Sequence, residues 1–142
     1  MLVSLSDVQN DRIAEEIERI VEHISDTLFY KMDHDIIAVS FELDDELGVD
    51  GFCMQDDEYE YTIQLHSKIR GEELHRTIIH ELTHVWQYVV GYLEQDHVDG
   101  LGPRMYWMGE DLTSEDYINR PWEKQAHEIE ETLYRKYNTN VA

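Results

Sequence analysis

The sequence is poor in cysteine, in proline and in long apolar runs. It has one cysteine, Cys53, and two prolines in 142 residues. A single cysteine excludes a disulfide framework and a cysteine zinc ribbon, so we expect a reducing cytoplasm as the compartment. No apolar run reaches the roughly 18 residues that indicate a membrane-spanning helix. The first residues lack both a basic segment and a long apolar segment, so we expect no signal peptide.

Basic residues are also scarce. The chain has 11 Lys and Arg against 32 Asp and Glu, which gives a formal net charge of −21. Such a surface repels phosphate backbones, so it argues against direct binding to nucleic acid, and it favours solubility or cationic partners. Two interpretations stay open. The acidic surface is either a solvated, salt-adapted one, or one that mimics nucleic acid or selects basic substrates.

The hydrophobic pattern predicts a single α+β domain that begins with a helix and continues into a small sheet. A chain of this length can bury a real core. Apolar residues recur every three or four positions over residues 6–31, which predicts an amphipathic helix with Ser6 and Gln9 as its capping box. A small, mostly antiparallel sheet of about three strands is then predicted over residues 36–43, 52–55 and 59–69.

The second half of the chain predicts two more helices. The first spans residues 72–90 and is followed by Gly91, which suits a left-handed C-terminal cap. Residues 91–113 form an irregular connection, and its apolar segment 105–108 either closes the core or lines a substrate pocket. The last helix spans residues 121–137, with its proline in the first turn.

The segment 80–84, of sequence HELTH, carries the strongest chemical signal. On a helix, His84 lies about 40° around the axis from His80 and one turn further along, so both imidazoles can reach one metal ion. Glu81 lies roughly 100° from His80 and can reach a water molecule on that ion. The apolar residues of the same helix occupy a separate face, which predicts that the histidines do not belong to the core stripe.

The third metal ligand is expected from the last helix, because a catalytic zinc usually takes three protein ligands. Glu123, His127 and Glu130 flank the buried stripe of that helix, whereas Glu128 points to solvent. We rank Glu123 first, since it lies near the helix start, where the dipole favours an anion. His127 and then Glu130 follow. His97 is a weaker candidate because it lies in the predicted loop.

The HELTH segment, together with RPWEKQA at residues 120–126, resembles the small gluzincin (minigluzincin) zinc metallopeptidases. In that family a second helix opens near a proline and donates a glutamate ligand. The layout is also similar to SprT-like metallopeptidase domains, including small ones encoded by bacteriophages. The resemblance implies that His80, His84 and Glu123 bind Zn²⁺ and that Glu81 is the general base. For a phage-encoded chain, it also implies the host cytoplasm.

Three positions depart from related motifs. Larger gluzincins place an acidic residue four positions after the ligand glutamate, where this chain has His127. SprT-like enzymes use a third histidine, which keeps His127 open as a ligand. Gln87 and Val90 stand where the extended metzincin motif needs glycine and histidine, so that family is excluded.

The resemblance also implies hydrolysis of a peptide bond in a protein or peptide substrate. A donor must meet the developing oxyanion, and Tyr117, Tyr106, Tyr88 and His97 can all supply it; Tyr117 is taken as the working candidate. The resembling families pair an extended substrate with the sheet edge before the active helix, and we expect the strand over residues 59–69 to supply that edge.

A different class of function competes with this one. The chain is then an acidic, non-enzymatic protein that mimics nucleic acid or binds a basic partner, with a structural or vestigial metal site. The sequence predicts neither the substrate's identity nor the oligomeric state.

Overall fold

A computed structural model describes residues 1–98 and 102–141 and shows three helices and two sheets, so the predicted α+β class is confirmed. Two short 3₁₀ turns, His34–Ile36 and Tyr117–Asn119, join longer elements. Within the described residues, no helix combines the length and apolar character needed to cross a membrane. The longer elements, in chain order, are β1 Leu2–Asp7, α1 Asp11–Leu28, β2 Ala38–Asp44, β3 Gly51–Asp57, β4 Glu60–His66, α2 Gly71–Val89, β5 Leu93–Val98, β6 Gly102–Trp107, β7 Glu110–Asp111 and α3 Pro121–Val141.

The larger sheet has four strands in the order β1-β2-β4-β3, and it differs from the predicted three-stranded, mostly antiparallel sheet. β1 pairs parallel with β2, β2 pairs parallel with β4, and only β3 with β4 is antiparallel. Because α1 carries the chain from β1 back to the start of β2, these two strands must run in the same direction. The prediction missed β1, since its six residues precede the longer helical pattern.

The first helix is shorter than predicted at both ends. It begins after Asn10, whose side chain accepts a hydrogen bond from the backbone N–H of Ile13 at 3.1 Å. The predicted capping box is wrong, because Ser6 lies inside β1. The helix ends at Leu28, and Lys31, the predicted last residue, has a positive φ of 60°.

The second helix is the centre of the fold and is close to its predicted bounds. It packs against α1, α3, β3 and β4. Four residues of its predicted apolar stripe are fully buried, whereas Trp86, Val89 and Val90, at the C-terminal end, are only partly buried. Gly91, just beyond the helix, has a φ of 85°, as expected for a left-handed cap. The four fully buried residues are Ile78, Ile79, Leu82 and Val85.

The connection after α2 is wrongly predicted as irregular. β5, β6 and the two-residue β7 form a three-stranded antiparallel sheet, while the predicted loop's residues 99–101 lie outside the described part. Acidic residues in β5 obscured the alternation of a strand. The apolar segment 105–108 serves two roles: Met105 lines a cleft, and the ring of Trp107 packs 5.8 Å from that of Tyr92.

The last helix is longer than predicted and runs to Val141. It starts at Pro121, which agrees with the expected proline in the first turn. Trp122, Ala126 and Leu133 are buried, as the predicted stripe requires. Since this helix packs along α2, its first turns face the HELTH segment.

A close approach of β3 to α2 generates the first prediction. A Cβ added to Gly51 would lie 2.5 Å from Cγ2 of Thr77 and 3.1 Å from Cγ of Glu81. We expect Gly51→Ala to lower the free energy of unfolding by about 1–3 kcal/mol, because strand and helix must move apart. Chemical denaturation measures this. Gly48→Ala is the matched control, since nothing lies within 4 Å of its added carbon; equal losses in both variants would contradict the prediction.

Candidate metal centre

Two turns of α2 and the first turn of α3 bring three candidate ligands together. Oε1 of Glu123 lies 2.9 Å from Nε2 of His80 and 3.1 Å from Nε2 of His84. Each imidazole is only 7% exposed, and the two rings are nearly perpendicular. Ligand atoms around a tetrahedral zinc lie about 3.3 Å apart, given metal–ligand bonds of roughly 2.0–2.1 Å. The two measured edges of this triangle are therefore slightly shorter than those around zinc, and all three ligand atoms lie within 4.8 Å of one another.

The contacts of Glu123 keep its carboxylate ionised. Burial alone would raise its pKa, but hydrogen bonds from His80 and His84 hold the pKa far below its usual range. The neighbouring Trp122 is buried and anchors the start of α3. A divalent cation could bind between this anionic oxygen and the two imidazole nitrogens.

A carboxylate supports His80 from behind. Nδ1 of His80 donates to Oε1 of Glu130 at 3.0 Å, which leaves Nε2 free for a metal. Glu130 is held in turn by Nη1 of Arg76 at 3.4 Å. This glutamate comes seven residues after Glu123, about two helical turns, so both carboxylates lie on one face of α3.

An amide supports His84 in the same way. Nδ1 of His84 donates to Oε1 of Gln87 at 2.8 Å. The fully buried Gln87 donates through its amide nitrogen to the carbonyl of Trp122 and to Gln125, both at 2.9 Å. The motif around His84 predicted no role for Gln87 beyond its mismatch to the metzincin pattern. A polar residue three positions after His84, on the side facing α3, was the available signal.

The contacts of His80 favour its charged form, in which both ring nitrogens carry a proton. Burial alone would lower its pKa, but hydrogen bonds to Glu123 and Glu130 outweigh that effect and raise the pKa to about 10. The imidazolium thus sits between two carboxylates. A metal ion that binds Nε2 must displace that proton.

Glu81 lies on the cleft side of α2 and is 6% exposed. Burial raises the pKa of its carboxyl, and the charges of Glu123 and Glu130 raise it further, whereas His84 and His80 lower it. A raised pKa brings a carboxylate closer to the value at which a general base works near neutral pH.

Tyr117 is the oxyanion candidate that the structure brings to the ligand triangle. Its hydroxyl lies 3.3 Å from Oε1 of Glu123 and 3.3 Å from Nε2 of His127. Burial and the negative charge of Glu123 raise the pKa of Tyr117 to about 12, so the phenol keeps its proton. Tyr88 and the exposed His97 also line the cleft, but Tyr106 is not among its described lining residues.

The cleft has a volume of about 1040 Å³ and runs between β3 and the paired strands β5 and β6. Among the described residues, β3 pairs only with β4, and its other edge, beside α2, pairs with no strand. The expectation that residues 59–69 supply the free edge is therefore wrong, because β4 is paired on both sides. The sequence of β3 is short and polar at its end, so its pattern did not indicate that this strand lies at the edge of the sheet.

A second grouping, of His80, His127 and Glu130, could also hold an ion. It shares His80 with the first triangle, so filling both would require the loss of the proton that Nδ1 donates to Glu130. His127 is exposed and is directed at Tyr117. We therefore interpret this grouping as the support of the first triangle. Glu128 is exposed, as predicted.

Comparisons with models of protein families, with curated proteins and with solved structures find no match to this chain. The metal preference of the site is therefore inferred from its ligand atoms alone. Two imidazole nitrogens and one carboxylate oxygen suit zinc better than the hard cations calcium and magnesium, which prefer all-oxygen sites.

The support of His80 generates a second prediction. We expect Glu130→Gln to weaken zinc binding about 10–100-fold, because the imidazole loses the carboxylate that orients it and raises its basicity. Competition against a chromophoric chelator measures the affinity. Glu128→Gln is the control, as it removes the same charge from the exposed face of α3; a matching loss there would point to net charge as the cause.

The protonation of His80 generates a third prediction. At pH 7 its pKa of about 10 keeps the imidazole of His80 charged, and Nε2 of both histidines contacts Oε1 of Glu123, so zinc binding should release at least one proton. Affinity should then rise at least tenfold per pH unit and level off as pH reaches that pKa. Calorimetry in buffers of different ionisation enthalpy counts the protons. Binding with no proton release would contradict the geometry around His80.

Proposed function

We propose that this chain is a zinc-dependent metallopeptidase that hydrolyses peptide bonds. The observation that carries the proposal is the triangle of His80, His84 and Glu123, with Glu81 beside it and an open cleft in front. Three ligands and an accessible fourth position are typical of catalytic zinc sites, whereas structural zinc sites are closed by four protein ligands.

The residues divide into roles that match this chemistry. A zinc ion held by the triangle would supply Lewis acidity to a water molecule and to the scissile carbonyl. Glu81 would take a proton from the water during attack and pass it to the leaving amine. Tyr117 would donate its hydroxyl proton to the developing oxyanion. Gln87 and Glu130 would hold the two imidazoles in the tautomer that leaves Nε2 free.

The free edge of β3 supports a peptide as the substrate. An extended chain could add to this edge through backbone hydrogen bonds, which place its scissile bond beside α2. Asp50, Asp56 and Glu73 line the same cleft, and the hydrogen bond between Glu73 and Asp50 raises the pKa of Glu73. This acidic wall favours basic segments of a protein or peptide.

The remaining parts of the proposal concern where the protein acts. We propose the cytoplasm as its compartment, or the host cytoplasm for a phage-encoded chain, because one cysteine fits a reducing environment. Direct binding to nucleic acid is not proposed, since the net charge of −21 opposes it.

The substitution Glu81→Gln tests the proposed activity. We expect it to lower the rate of hydrolysis of an unfolded protein, such as casein, by about 10²–10⁴-fold, because the general base is lost. The variant should keep one zinc per chain and a normal melting curve, since Glu81 is not a ligand. Mass spectrometry measures the zinc content of the variant. Fluorogenic peptides with basic, neutral or acidic residues measure its rate of hydrolysis on defined substrates.

Glu123→Ala is the companion variant, and it should lose both zinc and activity. Stoichiometric zinc in that variant would refute the ligand set. A zinc-loaded wild-type protein that cleaves none of these substrates would instead favour the acidic, non-enzymatic alternative. A partner-binding protein of that kind should bind its basic partner unchanged after Glu81→Gln, with an affinity that falls steeply in salt.

A further inference from the structure

We infer that His127 is a positioning residue that directs the hydroxyl of Tyr117 toward the reacting oxygen; this rests on the proposed function. Nε2 of His127 lies 3.3 Å from the Tyr117 hydroxyl, which itself lies 3.3 Å from Oε1 of Glu123. The imidazole of His127, the phenol of Tyr117 and the carboxylate of Glu123 therefore form a chain of hydrogen bonds that leads from an exposed turn of α3 to the ligand triangle.

Packing alone does not fix the orientation of the Tyr117 side chain. The residue sits in the 3₁₀ turn Tyr117–Asn119 and is 53% exposed, so its ring lacks the enclosure that locks a core aromatic. The guanidinium of Arg120 lies over the ring at 5.9 Å, which limits tilting but does not choose a direction for the hydroxyl. The hydrogen bond from His127 supplies that direction.

The direction of each hydrogen bond in this chain follows from the groups that can only accept. Oε1 of Glu123 is ionised and can only accept, so the Tyr117 hydroxyl donates to it. The phenol oxygen then accepts from Nε2–H of His127. The other ring nitrogen, Nδ1, lies 3.6 Å from Oε1 of Glu130, which already accepts from His80. That separation is too long for a hydrogen bond, so it is the contact with the phenol that requires a proton on Nε2 of His127.

This arrangement has a catalytic consequence. A phenol oxygen that accepts a hydrogen bond becomes a stronger donor through its own proton, because hydrogen bonds in a chain polarise one another. That proton points at the ligand oxygen in the resting protein and is positioned to move to an oxyanion that forms beside it. His127 would thus act through Tyr117.

A double-mutant cycle tests the inference. Tyr117→Phe should lower kcat about 10²-fold with little change in KM, because a transition-state donor is lost. His127→Ala should lower kcat about tenfold in the wild type but have no further effect in the Tyr117→Phe background. Full additivity of the two losses would overturn the inference, because it would give His127 a role separate from Tyr117.

Two conservative variants sharpen the cycle. The amide nitrogen of glutamine can reach the position of Nε2, so His127→Gln should recover most of kcat, whereas His127→Asn, which is too short, should resemble His127→Ala. Glu128→Gln is the control for charge and exposure on the same turn and should leave kcat unchanged. Equal activity of the glutamine and asparagine variants would count against the proposed hydrogen bond.

A readout that needs no activity separates this inference from the proposed function. In ¹⁵N NMR of the histidine side chains, His127 should show the Nε2–H tautomer, and its Nε2 signal should shift in Tyr117→Phe while zinc content stays unchanged. A His127 signal that Tyr117→Phe leaves in place would overturn the inference even in an active enzyme. Absence of peptidase activity with a normal shift would refute the proposed function alone.

Discussion

The structure depends on one carboxylate oxygen that meets two imidazoles. Oε1 of Glu123 lies within 3.1 Å of nitrogens from two successive turns of α2, so the register of α3 along α2 is fixed at its first turn. Gln87 reinforces that register, because it joins His84 to the backbone of Trp122. The helix pair is thus held together by the same polar groups that form the candidate centre. A shift of α3 by one residue would break the fold contact and the ligand set together.

The polar network around this oxygen is complete. Among the described residues, no buried side-chain nitrogen or oxygen lacks a hydrogen-bond partner. Unsatisfied buried groups are costly, so a fully paired network keeps the imidazoles from turning to other acceptors. Arg76 extends the network outward by pairing with Glu130 and Glu131, which places one of the few cations of this acidic chain between α2 and α3.

Sequence patterns predicted the helices and the ligand candidates better than the sheets. The 3.6-residue period gave α2 within a residue at each end, and the phase of α3 placed Glu123 and Glu130 on the side that faces α2. Strand pairing was poorly predicted, because parallel neighbours such as β2 and β4 are distant in sequence and leave no local signal. The support of His84 by Gln87 had a local signal in their three-residue spacing, whereas the contact of His127 with Tyr117 depends on the path of the chain before α3, which no spacing rule reveals.

The two imidazoles are supported by groups of different charge. His80 is backed by an anion and His84 by a neutral amide, so their Nε2 atoms differ in electron density. If an ion binds here, the carboxylate behind His80 would make that imidazole the stronger donor, and the neutral amide would leave His84 the weaker one. Loss of such an ion would then be expected to begin at His84.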